Sequence, residues 1–215
     1  MPDALITGAS RGIGAALKRE LTERGYAVEG TSTAGAEGLH ALDLTDPAAP
    51  QRLADTRGAR ALDLLVCNAG LYLDKGQSLE TGYPAAMWAQ EFAVNVTGVF
   101  LTVQALLPAL RAAGGKIAII SSQMASHTRA PGGSYIYRAS KAAALNLGRN
   151  LATDLRPEGI AVGIYHPGWV KTDMGGASAE ITAGEAARGL SDRVQALSLA
   201  TTGCFETWDG RAHPF

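Results

Sequence analysis

The stretch Tyr137-Arg138-Ala139-Ser140-Lys141 has the residue types and spacing of a proton-transfer pair. If it is helical, four steps rise about 6 Å and nearly close one turn, so the Tyr137 phenol and the Lys141 ammonium leave the same face. Tyr135 does not share that spacing. An ammonium fixed close to a phenol favours the phenolate, so the spacing predicts a Tyr137 pKa below its ordinary value near 10, suited to acid–base chemistry around neutrality. Tyr-x-x-x-Lys also occurs in ordinary helices, so the rest of the chain has to supply what such a pair would act on.

With 215 residues, 47% apolar and 18% charged, the chain can bury a full core as one domain. Nineteen Lys and Arg against twenty Asp and Glu, with no basic cluster, exclude the electrostatic footprint of a nucleic-acid binder and favour small-molecule chemistry. Cys67 and Cys204 lie beside apolar, strand-like segments and read as reduced core residues, which suits the cytoplasm. The first strand is expected from Ala4, leaving no room for a signal peptide, and no apolar run is expected to reach the roughly 18 residues of a membrane span. His40, His127 and His166 lack metal-ligand spacing, so His40 and His166 read as structural, His127 reads at most as a pocket-rim residue, and no metal is expected.

The positioning elements follow from apolar patterning. Ala4-Leu5-Ile6 reads as a short strand running into Thr7-Gly8-Ala9-Ser10-Arg11-Gly12-Ile13-Gly14, after which Ile13, Leu17 and Leu21 recur at helical spacing. Glycines let the backbone approach a pyrophosphate, and the following helix N-terminus offers it free N–H groups and a positive dipole end. The same residues also spell the G-x-S-x-G nucleophile elbow of hydrolases, with Ser10 as nucleophile and Asp154 plus His166 or His213 as partners. That elbow follows several strands in hydrolases, whereas only one precedes Ser10 here. Further strands are expected at 26–31, 39–42, 62–67, 116–121, 160–165 and 204–205. Helices are expected from Asp46-Pro47 through Leu53, over 92–110, from Tyr137 through Leu155, and over most of 182–200. This alternation predicts an α/β fold, a Rossmann-like, doubly wound parallel sheet with helices on both faces. Ligands of such sheets bind at the strands' carboxyl ends, where the glycine loop, Asp43, Asn68–Gly70, Ser122 and Pro167–Thr172 all fall.

Together these motifs resemble the single-domain short-chain dehydrogenases/reductases over nearly the whole chain. Thr7–Gly14, Asp43, Asn68-Ala69-Gly70, Asn95-Val96-Thr97-Gly98, Ser121-Ser122, Tyr137-x-x-x-Lys141 and Pro167-Gly168 stand in that family's order. The segment His166–Gly175 and the short tail 203–215 are similar to its branch of C-factor-like carbonyl reductases. The resemblance implies a nicotinamide-dependent oxidoreductase that interconverts a carbonyl and a secondary alcohol. It implies Tyr137 as general acid/base and Lys141 as the residue that holds the nicotinamide ribose and lowers the phenol's pKa. It also implies Ser122 as the group orienting the substrate oxygen and Asn95 as the anchor of a water leading to Lys141. Cofactor contacts are implied for Gly8, Ser10, Arg11, Gly12, Ile13, Gly14, Ser32, Thr33, Asp43, Leu44, Asn68, Ala69, Gly70, Tyr137, Lys141, Pro167, Gly168, Val170 and Thr172, with Asp43 facing the adenine.

The loop between Ser122 and Tyr137 is slightly long for the family, so Ser126 and Ser134 stand as alternatives to Ser122, and Cys67 replaces a frequent Asn. NADP(H) is favoured over NAD(H), because strand 26–31 is followed by Ser32-Thr33 instead of an acid that would repel a 2′-phosphate, and Arg11 supplies positive charge. Apolar helices 92–110 and 142–155 predict a homodimer or homotetramer, as is common in the family. A cofactor-binding regulatory or signalling protein with little turnover is the alternative reading. Substrate identity is left open, since Tyr135, Trp169 and Met174 serve as pocket wall or as ordinary packing equally well.

Overall fold

The computed structural model describes every residue of the chain except Glu37 and Thr81. In chain order the elements are β1 (Asp3–Ile6), α1 (Gly12–Glu23), β2 (Ala27–Ser32), β3 (His40–Ala41), α2 (Ala49–Arg57), β4 (Leu64–Cys67), α3 (Ala85–Phe92), α4 (Gly98–Ala113), β5 (Lys116–Ile120), α5 (Tyr135–Leu155), β6 (Ala161–His166), α6 (Ala183–Ala196) and β7 (Phe205–Thr207). The strands form one parallel sheet in the order β3-β2-β1-β4-β5-β6-β7. The order reverses between β1 and β4, which opens a crevice above their carboxyl ends.

The period of two along each strand divides the core between the faces. Leu5, Leu65, Ile117 and Val162 stand in register across β1, β4, β5 and β6, are fully buried, and pack with Val103, Leu106 and Leu110 of α4 and Ala152 of α5. Their successors Ile6, Val66 and Ala118 turn to the other face, against Leu17 and Leu21 of α1 and Leu190 and Val194 of α6. A sheet covered on both faces leaves no polar alternation in its strands, which is why they read as continuous apolar runs.

Several boundaries differ from expectation. Asp46-Pro47 does not open α2: the Asp46 carboxylate accepts from Ala48 N in a turn, and the helix begins at Ala49. The strand expected over 39–42 shortens to two residues, α6 stops at Ala196, and β7 extends to Thr207. The helix expected over 92–110 is longer and interrupted: α3 passes through a π-helical turn, Ala93–Thr97, into α4. That 85–113 run is, against expectation, long and apolar enough by length and composition to cross a membrane. Its apolarity has another physical source, since its inner side is core and packs against β4 and α2. His40 bonds Glu29 at 2.7 Å, a structural role as expected, and Cys67 and Cys204 are both free. Burial pushes the Cys67 thiol up to about 12, so it behaves as core packing.

Candidate active site

The glycine loop is fixed by hydroxyl and amide side chains from neighbouring strand ends. Thr7 Oγ1 accepts from Asn68 N and Ala69 N, each at 3.0 Å, while Asn68 Nδ2 donates to the carbonyls of Thr7 and Gly8, again at 3.0 Å. Thr31, which sequence reasoning passed over for Ser32 and Thr33, receives Gly8 N on its hydroxyl and Ala9 N on its carbonyl. Gly8 has φ +67°, and a Cβ on Gly14 would stand 2.1 Å from the Gly8 carbonyl oxygen. Arg11 precedes α1 in extended backbone, its side chain makes no cap, and the first turn carries no acid. Free N–H groups at a helix start, reached across side-chain-free backbone, form a cradle for a pyrophosphate. Gly8, Ser10, Arg11, Gly12, Ile13, Gly14, Asn68, Ala69 and Gly70 therefore fit a dinucleotide.

Other expected contacts are placed with differences. Leu44 is buried beneath Gly98, so its side chain belongs to the core. Asp43 Oδ1 accepts from the amide and hydroxyl of Thr45. Pro167 and Val170 are buried, and the Thr172 methyl lies over Gly12. The Arg11 guanidinium pairs with Asp173 at 2.5 Å, both side chains 78% exposed. Lys75 Nζ donates to the Met174 carbonyl, so loop 172–175 touches both banks of the crevice.

Tyr137 and Lys141 project together from α5, as their spacing predicts, with Lys141 Nζ 5.6 Å from the Tyr137 ring centroid. The predicted direction of the phenol's pKa is overturned. Tyr137 is 7% exposed, and burial pushes its pKa above the ordinary value; the Ser122 hydroxyl opposes this, and the neighbouring Glu91 and Tyr72 add to it. Lys141, 5% exposed, is lowered to about 8 by burial, with Glu91 opposing, and donates to the Ile120 carbonyl at 3.1 Å. An ammonium so poorly solvated, and at that distance, does not outweigh the loss of water around the phenol.

Ser122 follows β5 by two residues, extended and 6% exposed, and caps a short turn by accepting from Met124 N. Its alternatives are engaged elsewhere: Ser126 with Thr128 and the Phe215 carbonyl, Ser134 with the Tyr72 hydroxyl at 2.6 Å. Asn95, in the π-helical turn, uses its amide as a staple: Oδ1 accepts from Leu71 N, and Nδ2 donates to Leu71 O and Ser140 Oγ. Its Oδ1 and Lys141 Nζ converge on Gly70, each 3.3 Å from where a Cβ there would sit.

Three site residues escaped sequence reasoning. Tyr72 stacks on Tyr137 with centroids 4.2 Å apart. Glu91 and Asp74 are fully buried. Glu91 accepts from Leu73 N and Asp74 from Ile136 N, and each leaves its other oxygen without a partner among the described residues. Glu91 carried a signal, as the lone acid in an apolar helical run; Asp74, in a polar loop, carried none. The hydrolase constellation does not assemble. Ser10 is exposed in the glycine loop, Asp154 lies at the far end of α5 from Tyr137, and His166 is buried beside His213.

The fold and this site define a dinucleotide-binding α/β oxidoreductase with a Tyr–Lys pair at the sheet's carboxyl edge. The short chain dehydrogenase profile matches residues 3–182, and the chain belongs to that family. It is 37% identical to the C-signal protein of Myxococcus xanthus over 157 residues, 72% of this chain and 93% of that one. It is 32% identical to 1-hydroxy-2-glutathionyl-2-methyl-3-butene dehydrogenase of Rhodococcus sp. (strain AD45), covering 98% of both. Among solved structures, NADPH-bound carbonyl reductase from chicken fatty liver superposes with a TM-score of 0.89 at 28% identity, covering 100% of this chain and 99% of that one.

Proposed function

We propose that the chain is an NADP(H)-dependent carbonyl reductase in which Tyr137 delivers the proton to a carbonyl oxygen held by Ser122. The carrying observation is the buried Tyr137 phenol, neutral and next to Ser122, at the edge where the glycine cradle would hold a dinucleotide. The reduced nicotinamide supplies hydride to the carbonyl carbon. Burial keeps the Tyr137 phenol in the protonated form that can donate; it is a weaker acid than a free phenol but more acidic than an alcohol, so the proton still passes to a forming alkoxide. Lys141, poised near 8, passes a replacement proton inward, and Asn95 holds loop 70–74 and α5 in register around it.

NADP(H) is supported by the absence of an acid at Ser32-Thr33 and by the NADPH in the chicken-liver relative. The exposed Arg11–Asp173 pair contributes little, so its exchange for a 2′-phosphate costs little. A homo-oligomer through α4 and α5 is supported by Phe100 of α4, 40% exposed, and by Leu107 of α4 and Leu147 and Leu151 of α5, which are only partly buried. Two free cysteines suit a reducing compartment such as the cytoplasm. The likeness to C-signal favours a second reading, a cofactor-binding regulator with little turnover.

Tyr137→Phe tests the assignment. NADPH binding is retained and carbonyl reduction falls by about 10²-fold or more, whereas Ser10→Ala, which removes one hydroxyl of the cofactor loop, weakens NADPH binding and keeps turnover at saturating NADPH. Full activity in Tyr137→Phe refutes the role; tight NADPH binding with no turnover across a carbonyl and alcohol screen supports the regulator.

A further inference from the structure

Toward β6 and β7 the site adjoins a cavity of about 460 Å³. Tyr137, Lys141 and Ser122 do not line it. Its wall begins at Gln123, one residue after Ser122, and takes in Gly168 and Trp169 of the Pro167–Thr172 loop. Adjacent Cα atoms lie about 3.8 Å apart, so a molecule with its carbonyl at Ser122 has this cavity within reach of its other end.

The cavity's charge is one-sided. Arg129 enters from the loop before α5 and Arg211 from the segment after β7, with His166 and His213 between, and Glu180 is the one carboxylate in the lining. Trp208 and Ile181 supply apolar wall. His166 is 8% exposed, and its buried Nδ1 has no partner among the described residues. Burial, then His213 and Arg129, hold its pKa down at about 4, Arg211 adds to this, and Asp209 opposes it, so the imidazole is neutral and stands in a positive field. Arg129 bonds the Gln123 side-chain oxygen, and Arg211, 77% exposed, pairs with Asp209 at 2.8 Å. Exposed pairs of this kind are weak and exchange readily.

We propose that this cavity takes the carboxylate of the substrate, so that the chain acts on oxo acids, and on the hydroxy acids they form, whose acid group lies away from the reacting carbon. Arg129 and Arg211 present planar guanidinium forks to the carboxylate, and Trp208 and Ile181 cover the connecting hydrocarbon. The proposal rests on the reductase reading for its carbonyl end.

The test compares oxo acids of graded chain length with their methyl esters, using the full chain and NADPH. At the length that spans from Ser122 into the cavity, kcat/KM for the acid exceeds that for the ester about tenfold or more, equivalent to about 1.4 kcal/mol. Arg129→Ala and Arg211→Ala each bring the acid-to-ester ratio toward one, through KM. In parallel, quenching of tryptophan fluorescence is titrated with a saturated alkanoate, which cannot be reduced; Trp169 and Trp208 line the cavity and report its occupancy. Equal use of acid and ester, or a preference that survives both arginine changes, overturns the acid site and leaves the reductase reading standing. Alkanoate quenching that both changes abolish, in a protein that reduces nothing, keeps the acid site and overturns the reductase reading. Absence of alkanoate quenching in the unaltered protein overturns the site.

Discussion

Glu91 makes a quantitative prediction about stability and pH. It is fully buried behind the Tyr137–Lys141 pair, one oxygen accepting from Leu73 N at 2.9 Å and the other without a partner among the described residues. Burial raises its pKa from the ordinary 4.5 to about 7; the Leu73 N–H opposes the rise, Asp74 adds to it, and Lys141 opposes it. At about 1.4 kcal/mol per tenfold in the proton equilibrium, that displacement corresponds to about 3 kcal/mol. The folded state holds this proton more tightly than the unfolded chain, so nothing is lost below pH 4.5. Stability then falls as pH rises from 4.5 to 7, and the full penalty stands above 7.

Glu91→Gln removes the titration while keeping the shape. The amide oxygen still accepts from Leu73 N, and the NH₂ replaces the protonated oxygen. The variant should therefore match the unaltered protein near pH 4.5 and exceed it by about 3 kcal/mol above pH 8, which for a domain of this size is a Tm difference of about 6–12 °C. Lys141, lowered from 10.5 to about 8, works in the opposite sense and in a different window: its penalty is complete below 8 and relieved as pH climbs to 10.5. Thermal denaturation of both proteins from pH 4.5 to 8 isolates the Glu91 contribution as a difference. A Tm difference independent of pH refutes the reasoning.

Gly14→Ala places a Cβ 2.1 Å from the Gly8 carbonyl oxygen and 2.6 Å from Asn68 Nδ2, so dinucleotide affinity should collapse and stability fall by about 1–3 kcal/mol, read by NADPH titration and thermal melts. Gly184→Ala, in α6 with no closer neighbour than Thr182 Oγ1 at 4.0 Å, is the control and should be neutral or slightly stabilising. Arg11→Ala should weaken NADPH binding by about tenfold with little change for NADH; equal affinities for the two in the unaltered protein would refute a 2′-phosphate site at the end of β2. Light scattering over a wide concentration range should find an oligomer, and Phe100→Glu on α4 should shift it toward monomer.

The local steps of this fold were legible because they are written in neighbouring residues. Apolar runs marked β1, β4, β5 and β6, glycine spacing marked the cradle before α1, and a four-residue interval set Tyr137 and Lys141 on one face of α5. What the interval could not state was how much water remains around them. Burial reverses the expected direction of the Tyr137 pKa, and desolvation is a property of everything packed around a group. The same limit hid Tyr72, brought onto Tyr137 by the Asn95 staple, and the carboxyls of Glu91 and Asp74, which meet only because loop 70–74 crosses from β4 to α5. The cavity of Arg129, His166 and Arg211 is likewise a product of tertiary structure. Its walls come from four separate segments, and no periodicity within one segment reports the charge that the others bring to it.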